Sequence, residues 1–175
     1  DLYPGQEWIT AHVLLTNQIW EEGGGPSNYH FSPVYTYGGK GNKKIRAMGG
    51  IEDKNGDYYY ASYPPFAFIF SYYGMKLLGG HSIYSIRALG LLIHFFCALF
   101  AYLIFLKLSN KKGDYYSIAG VFVAFLYLFS SGTLWMHSLL YFSDMLVQLF
   151  IIIGLYLLIR LVQNDFKSER QFLFL

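Results

Sequence analysis

The sequence predicts a mainly α-helical integral membrane protein in which a large polar loop precedes three transmembrane helices. Of its 175 residues, 54% are hydrophobic, 21% aromatic and only 14% charged, whereas about a quarter of the residues in a typical soluble domain are charged. The strongly apolar runs all follow Gly80. The net charge of +2 is spread thinly along the chain, so we expect no nucleic-acid partner. The single cysteine, Cys97, excludes internal disulfides.

Residues 1–82 are predicted to form an exoplasmic loop that begins with an amphipathic helix at about 6–22. Four apolar residues recur there at helical spacing: Trp8, Ala11, Leu15 and Ile19. The glycines at 23–25 end the helix, and His12 is expected on its polar side. An irregular loop follows, and Asn55-Gly56 then predicts a hairpin at about 50–61.

A second helix is predicted at about 65–78, because Pro64-Pro65 suit a helix start and Gly79-Gly80 suit a helix end. At about 1.5 Å per residue it is roughly 20 Å long, too short to cross a hydrocarbon core of about 30 Å. It nevertheless has almost no polar face. We therefore expect it to lie at the membrane interface, with its tyrosines at headgroup level. The alternative is a buried core helix of a soluble domain.

Three transmembrane helices are predicted at about 84–107, 115–131 and 142–161, each apolar around most of its circumference. Ser130-Ser131-Gly132 interrupts the second one. Lys and Arg are concentrated after the first and third helices, which predicts that residues 108–113 and 162–175 are cytoplasmic and residues 1–82 exoplasmic. An exoplasmic start without a signal peptide leads us to expect a further span upstream of Asp1. The membrane is expected to be a bacterial inner membrane.

Several short motifs follow one another in a set order along the whole chain. They are Asp1 and Glu7 before Ala11, Tyr59-Tyr60, Tyr63-Pro64-Pro65, Gly79-Gly80, Arg87, and Asp144 at the head of the third span. This order resembles the first part of the GT-C membrane glycosyltransferases, which include protein O-mannosyltransferases and bacterial aminoarabinose transferases. The resemblance implies transfer of a sugar, with inversion, from a polyprenyl-phosphate-linked donor to an acceptor on the exoplasmic side.

The resemblance also implies roles for individual residues. An acidic residue near the start of the loop acts as general base, and both Asp1 and Glu7 remain candidates. A carboxylate near a membrane surface is partly desolvated, which raises its pKa towards a useful value. Asp144 has two interpretations, because it is either an acidic site residue or, with Ser143, a helix N-cap.

Phosphate binding departs from the pattern of the family. The residue before Pro-Pro is a phosphate-binding lysine or histidine in the branches named above, but it is Tyr63 here. A departing phosphate needs a cation beside it. The candidates are Arg87, Arg46 and Lys43, with a divalent metal as a further candidate. His12 and His30 could ligate a metal together with Glu7, although their spacing does not require it.

Two other functional classes remain open. The chain could be a non-enzymatic membrane subunit or scaffold of a transport or secretion complex, whose loop docks proteins. It could also be a flippase-like or ligase-like protein of the same lipid pathway, although more charged residues inside the spans would then be expected. The sequence does not identify the sugar or the acceptor.

Overall fold

The computed structural model describes residues 7–34, 50–60, 64–109, 113–133 and 142–164. The chain divides into two compact units, Asp1–Leu89 (unit 1) and Gly90–Leu175 (unit 2), and the division lies within the longest helix. The main elements are α1 (Glu7–Glu22), β1 (Gly50–Glu52), β2 (Tyr58–Tyr60), α2 (Pro65–Leu77), α3 (Ile83–Ser109), α4 (Asp114–Phe129) and α5 (Phe142–Gln163).

The predicted mainly α class is confirmed, and the helix bounds lie within about two residues of those expected from the sequence. Within the described residues, Ile83–Ser109 and Asp144–Gln163 are long and apolar enough to cross a membrane. The helix predicted as the second of the three spans is α4, which is apolar but only 16 residues long. Three complete spans therefore stay a prediction.

In unit 1, the packed face of α1 includes Ile19 from the predicted apolar set, together with polar residues that the apolar spacing did not predict. Ala11 is exposed, whereas Thr16 and Asn17 are fully buried. These polar side chains tolerate burial because they are hydrogen-bonded: Thr16 Oγ1 donates to the carbonyl of Val34 (3.2 Å) and Asn17 Nδ2 donates to Ser71 Oγ (2.7 Å).

Helices α1 and α2 run in the same direction. Asn17 bonds to Ser71, and one turn further along both helices Glu21 bonds to Lys76. The apolar side chains buried in this part of the chain include Val13, Ile19, Trp20, Val34, Ala67, Phe68, Tyr72, Met75, Ile86 and Leu89. Helix α2 therefore buries one face against α1. Its other face, which includes Phe66, Tyr73 and Leu77, is exposed.

A rigid corner joins α2 to α3. The amide of Gly80 donates to the carbonyl of Met75 (2.9 Å), and the amide of Gly79 donates to that of Lys76 (3.5 Å), which is the Schellman arrangement. Both glycines have positive φ, 100° and 114°, which favours glycine at these positions. Ser82 then caps α3 by accepting the amide of Ser85 (3.1 Å). The predicted helix end at Gly79-Gly80 is confirmed.

The predicted hairpin is observed as the antiparallel pair β1 and β2, in which Ile51 lies opposite Tyr59. Its connection is longer than the two-residue turn that Asn-Gly favours. Asp53 Oδ1 accepts the amides of Asn55 and Asp57, each at 2.8 Å, and so stabilises the connection.

In unit 2, α4 runs antiparallel to α3, and α5 runs parallel to α3. The α3–α4 contact places Gly120 beside the ring of Tyr102. The α3–α5 contact pairs Phe100 with Tyr156 (ring centroids 5.5 Å apart), and the side-chain amide of Gln163 donates to the carbonyl of Lys107 (2.7 Å). The ends of α3 and α5 that carry Lys107 and Gln163 therefore lie together.

The helices of unit 2 leave much of their apolar surface exposed. In each of the two long helices we consider the most apolar stretch of 18 residues. In Ile83–Ser109 only 33% of this stretch is buried within the chain, and in Asp144–Gln163 only 17% is buried. A core helix of a soluble protein of this hydropathy is mostly buried, whereas a lipid-facing helix need not be. The large exposed side chains include Leu91, Leu92, Phe95, Phe96, Ile118, Val121, Phe122, Phe125, Leu126, Val147, Phe150, Ile151, Leu155 and Leu158.

Candidate functional site

Four of the site residues predicted from the sequence lie outside the described residues: Asp1, Lys43, Arg46 and Tyr63. Their roles as base or phosphate ligand stay predictions. Glu7 is the first residue of α1, and its side chain also lies outside the description. A carboxylate at this position interacts favourably with the positive end of the helix dipole. The choice between Asp1 and Glu7 as general base remains open.

Arg87 lies on the second turn of α3 and is exposed to solvent. None of the ion pairs among the described residues involves it. Tyr84, three residues earlier, is 79% exposed, and Leu91, four residues later, is 65% exposed, so the three share a face of the helix. Arg87 therefore lies on an exposed face of α3 between an aromatic residue and an apolar one.

Arg87 and Lys107 mark the two ends of the apolar part of α3. No Asp, Glu, Lys or Arg occurs between them, and the 20 residue steps that separate them correspond to about 30 Å of helix. That length matches the hydrocarbon thickness of a bilayer, about 30 Å. If α3 crosses a membrane, Arg87 therefore lies at one headgroup layer and Lys107 at the other.

Asp144 lies in the first turn of α5 and is exposed. It belongs to unit 2, whereas Glu7 and Arg87 belong to unit 1. The N-terminus of a helix interacts favourably with a carboxylate. Asp144 is therefore also placed where it can stabilise the start of α5. A single site containing Asp144 together with Glu7 and Arg87 stays a prediction.

A polar cluster that the sequence did not predict lies where α1 meets the α2–α3 corner; we call it the Glu21 cluster, and it consists of Glu21, Tyr72, Lys76 and His81. The carboxylate of Glu21 accepts hydrogen bonds from the Tyr72 hydroxyl and from Lys76 Nζ, which is 3.1 Å from both oxygens. Nε2 of His81 lies 3.5 Å from the same carboxylate. Glu21 therefore faces three potential donors from two segments.

The aromatic rings of the Glu21 cluster are stacked. The imidazole of His81 lies over the ring of Tyr72, with centroids 4.7 Å apart and planes 23° apart. Lys76 Nζ is 5.4 Å from the centroid of the Tyr72 ring, within cation–π range. The side chain of His81 is only 10% exposed. The ring contacts thus hold the corner against α2, and the polar contacts with Glu21 join both to α1.

The pKa shifts in the Glu21 cluster follow from its hydrogen bonds and from burial. Hydrogen bonds from Tyr72 and then Lys76 lower the pKa of Glu21, so this carboxylate is a weak base. Burial lowers the pKa of His81, an effect that the Glu21 carboxylate opposes. Burial and the bond to Glu21 raise the pKa of Tyr72. A carboxylate that is already neutralised in this way fixes geometry better than it accepts a substrate proton.

One signal in the sequence could have indicated this cluster. Lys76 is the only Asp, Glu, Lys or Arg between Tyr58 and Ile86. A lone ammonium in such an apolar stretch requires a partner or access to the headgroups. The sequence gives no sign, however, that the partner is Glu21, 55 residues earlier.

His12 is buried, contrary to the sequence prediction that it lies on a polar face. Its ring makes edge contacts with Tyr60 (5.8 Å) and Phe68 (5.2 Å), and only 3% of the residue is exposed. Burial lowers the pKa of His12 to about 4, so the imidazole is neutral at physiological pH. Within the described residues, no group of three or more His, Cys, Asp or Glu side chains is placed to hold a metal ion.

Comparison of the chain with protein-family models, with curated proteins and with solved structures gives no match.

Proposed function

We propose that this protein is an integral membrane glycosyltransferase that moves a sugar from a polyprenyl-phosphate-linked donor to an acceptor on the exoplasmic side. The observation that carries the proposal is Arg87, an exposed guanidinium outside the ion pairs of the described residues, at the start of an apolar helix. A cation at headgroup level beside an apolar surface is suited to a ligand with a phosphate head and a hydrocarbon tail.

Membrane insertion is supported by the apolar surface of unit 2. The exposed side chains of α3, α4 and α5 are predominantly Leu, Ile, Val and Phe, and water is a poor solvent for so large an apolar area. The parallel course of α3 and α5 brings Lys107 next to Gln163. These two helix ends then lie on one side, as the proposed three-span orientation requires.

The environment of Arg87 suggests how a donor lipid would lie. The phosphate would accept hydrogen bonds from the guanidinium, which can bind two phosphate oxygens at once. The polyprenyl chain would follow the exposed stripe of α3 that continues from Leu91 to Phe95. Tyr84, one turn towards the aqueous side, offers a ring on which a sugar face can stack.

The proposed reaction is a displacement at the anomeric carbon. Asp1 or Glu7 takes a proton from the acceptor hydroxyl or amine as its oxygen or nitrogen forms a bond to that carbon. The bond between the anomeric carbon and the phosphate oxygen breaks, and its electron pair leaves with the polyprenyl phosphate. Arg87 stabilises the charge that develops on this leaving group.

Binding of polyprenyl phosphate by the purified full chain in nanodiscs tests the proposal. Arg87→Gln is expected to weaken binding by about tenfold or more, since a charged hydrogen bond contributes about 1.5–3 kcal/mol, whereas Arg87→Lys should retain part of the affinity. Lys107→Gln, at the opposite end of the same helix, is the matched control and should bind normally. Uncharged polyprenol should bind equally to all four proteins.

Equal binding of polyprenyl phosphate to the wild type and to Arg87→Gln would contradict the assignment of Arg87. Equal loss in Arg87→Gln and Lys107→Gln would also contradict it, because it would indicate only a general dependence on positive charge. Either result would favour the alternative class, a non-enzymatic membrane subunit.

A further inference from the structure

One face of α2 carries an exposed apolar stripe, which we call the α2 stripe. It consists of Phe66, Phe70, Tyr73 and Leu77, whose spacing of four, three and four residues places them on one side of the helix. Leu77 is 88% exposed, Phe66 and Tyr73 are about half exposed, and the ring of Phe70 lies beside that of Phe66. A contiguous apolar face of this kind is typical of a surface that contacts a membrane or another protein.

The opposite face of α2 is already covered by α1. Phe68, Tyr72 and Met75 are buried there, so of the two neighbouring tyrosines only Tyr73 lies on the α2 stripe. The outer side of α1 is polar, because Gln18 and Glu22 are exposed and hydrogen-bonded to each other (2.8 Å). Helix α1 therefore faces water, and α2 lies between α1 and whatever covers the stripe.

The contact between α2 and α3 sets the level of the stripe. Gly74 lies so close to Leu89 that a Cβ added to the glycine would be 2.8 Å from a methyl carbon of the leucine. Leu89 is two residues beyond Arg87, which corresponds to about 3 Å of helix. If Arg87 marks a headgroup layer, Gly74 lies at the boundary between headgroups and hydrocarbon.

The exposed apolar surface continues from α2 around the corner into α3. Leu78, Ile83 and Tyr84 are exposed at and after the corner, and the lipid-facing stripe of α3 follows them. Lys76 lies beside the α2 stripe, but its ammonium bonds to Glu21 on α1, so its charge is held on the side of α2 that faces water. The stripe is thus continuous with a surface suited to lipid.

We propose that the α2 stripe binds the bilayer leaflet on the side of Arg87, with α2 flat in the interface and α1 over it on the aqueous side. Phe66 and Leu77 contact acyl chains, and the hydroxyl of Tyr73 reaches the headgroups. A steep tilt would carry the charged helix α1 into hydrocarbon, because the two helices run side by side. The inference rests on the proposed function only for the membrane location of α3.

The partner of the stripe is therefore a lipid surface. The sequence predicts only that α2 lies at the interface. The contacts with α1 and with Leu89 specify which face meets lipid and at what depth.

Depth-dependent fluorescence quenching tests this position in the full-length protein in nanodiscs. Cys97, the only native cysteine, is buried, so an NBD label is attached at an introduced cysteine and labelled wild type provides the baseline. Phe66→Cys and Leu77→Cys, at the two ends of the stripe, are the test variants. Ala11→Cys, at an exposed position of α1, is the aqueous control, and Leu91→Cys on α3 is the lipid control.

Each labelled variant is exposed to iodide, which is an aqueous quencher, and to lipids that carry a doxyl group near the top of the acyl chain. We expect iodide to quench the labels at 66 and 77 about fivefold or more weakly than the label at 11, since an anion does not enter hydrocarbon. The doxyl lipids should quench the labels at 66 and 77 as strongly as the label at 91, and the label at 11 only weakly.

Iodide quenching at 66 and 77 as strong as at 11 would overturn the proposal, because the stripe would then face water. Protection of both labels from iodide and from doxyl lipids would overturn it as well, because protein would then cover the stripe. A label in lipid at 77 but in water at 66 would contradict the flat orientation of α2.

These outcomes are separate from the test of Arg87. Loss of polyprenyl phosphate binding in Arg87→Gln does not depend on the position of α2. The lipid contact of the stripe can therefore fail while the proposed function stands, and the reverse also holds.

Discussion

Acidification should destabilise unit 1 through His12. This imidazole is buried between Tyr60 and Phe68 on the inner face of α1, and burial lowers its pKa to about 4 from an ordinary value of 6.5. In the unfolded chain the same group takes up a proton near pH 6.5. The contribution of the neutral imidazole to stability is therefore complete above pH 6.5 and is lost progressively as the pH falls towards 4.

The size of this effect follows from the two pKa values. The pKa of His12 is 6.5 in the unfolded state and about 4 in the folded state. The linkage relation then gives a fall of about 2.5 kcal/mol in the free energy of unfolding between pH 7.5 and pH 4.5. Replacement of His12 by leucine, which is similar in volume and does not titrate, should remove this part of the pH dependence. His81, whose pKa is also lowered by burial, is present in both proteins and cancels in the comparison.

The measurement is urea unfolding of the full chain in detergent micelles at pH 7.5 and pH 4.5, followed by tryptophan fluorescence, with the buried Trp20 as a reporter within unit 1. Between these two pH values, the free energy of unfolding of the wild type should fall by about 2.5 kcal/mol more than that of His12→Leu. His30→Gln, at an exposed histidine, is the matched control and should behave like the wild type. Equal pH dependence in wild type and His12→Leu would refute the reasoning.

Two further predictions concern the packing of each unit. Glu21→Gln should lower the pKa of His81, because the carboxylate of Glu21 raises it, and NMR titration of the imidazole would contradict this if the pKa stayed unchanged or rose. Gly120→Ala should destabilise unit 2 by about 1–3 kcal/mol, since the new Cβ would lie 2.8 Å from the ring of Tyr102. Gly154→Ala is the control, because its new Cβ would meet no atom within 4 Å. Thermal unfolding in micelles should show a lower unfolding temperature for Gly120→Ala and little change for Gly154→Ala. An equal effect of the two substitutions would be inconsistent with the α3–α4 contact.

The helices were predictable because their signals are local. Pro65 and Gly79 delimit α2, and the uncharged run before Lys107 delimits α3. The packed face of α1 was predictable only in part, because beside Ile19 it buries polar residues whose partners lie far along the chain. Thr16 needs the carbonyl of Val34, and Asn17 needs Ser71, 54 residues later. Periodicity of apolar residues gives no information about such distant hydrogen bonds.

The candidate site was predictable only in part, for a similar reason. Arg87 could be identified because a charge next to a long apolar run is unusual and costly in lipid. The Glu21 cluster could not be identified, because it joins the end of α1 to a corner 55 to 60 residues away. The end of α4 was visible as Ser130-Ser131-Gly132. Its position beside α3 became apparent only from the pairing of His94 with Leu128.

The proposed transferase activity is tested most directly by a transfer assay. The full-length protein in nanodiscs is incubated with a panel of polyprenyl-phosphate-linked monosaccharides, and release of polyprenyl phosphate is measured. We predict release by the wild type and a loss of about a hundredfold or more in the double variant Asp1→Asn, Glu7→Gln, since a general base contributes about 10²–10⁴-fold. The variant should still bind polyprenyl phosphate. Release at the wild-type rate by the double variant would contradict the proposed mechanism.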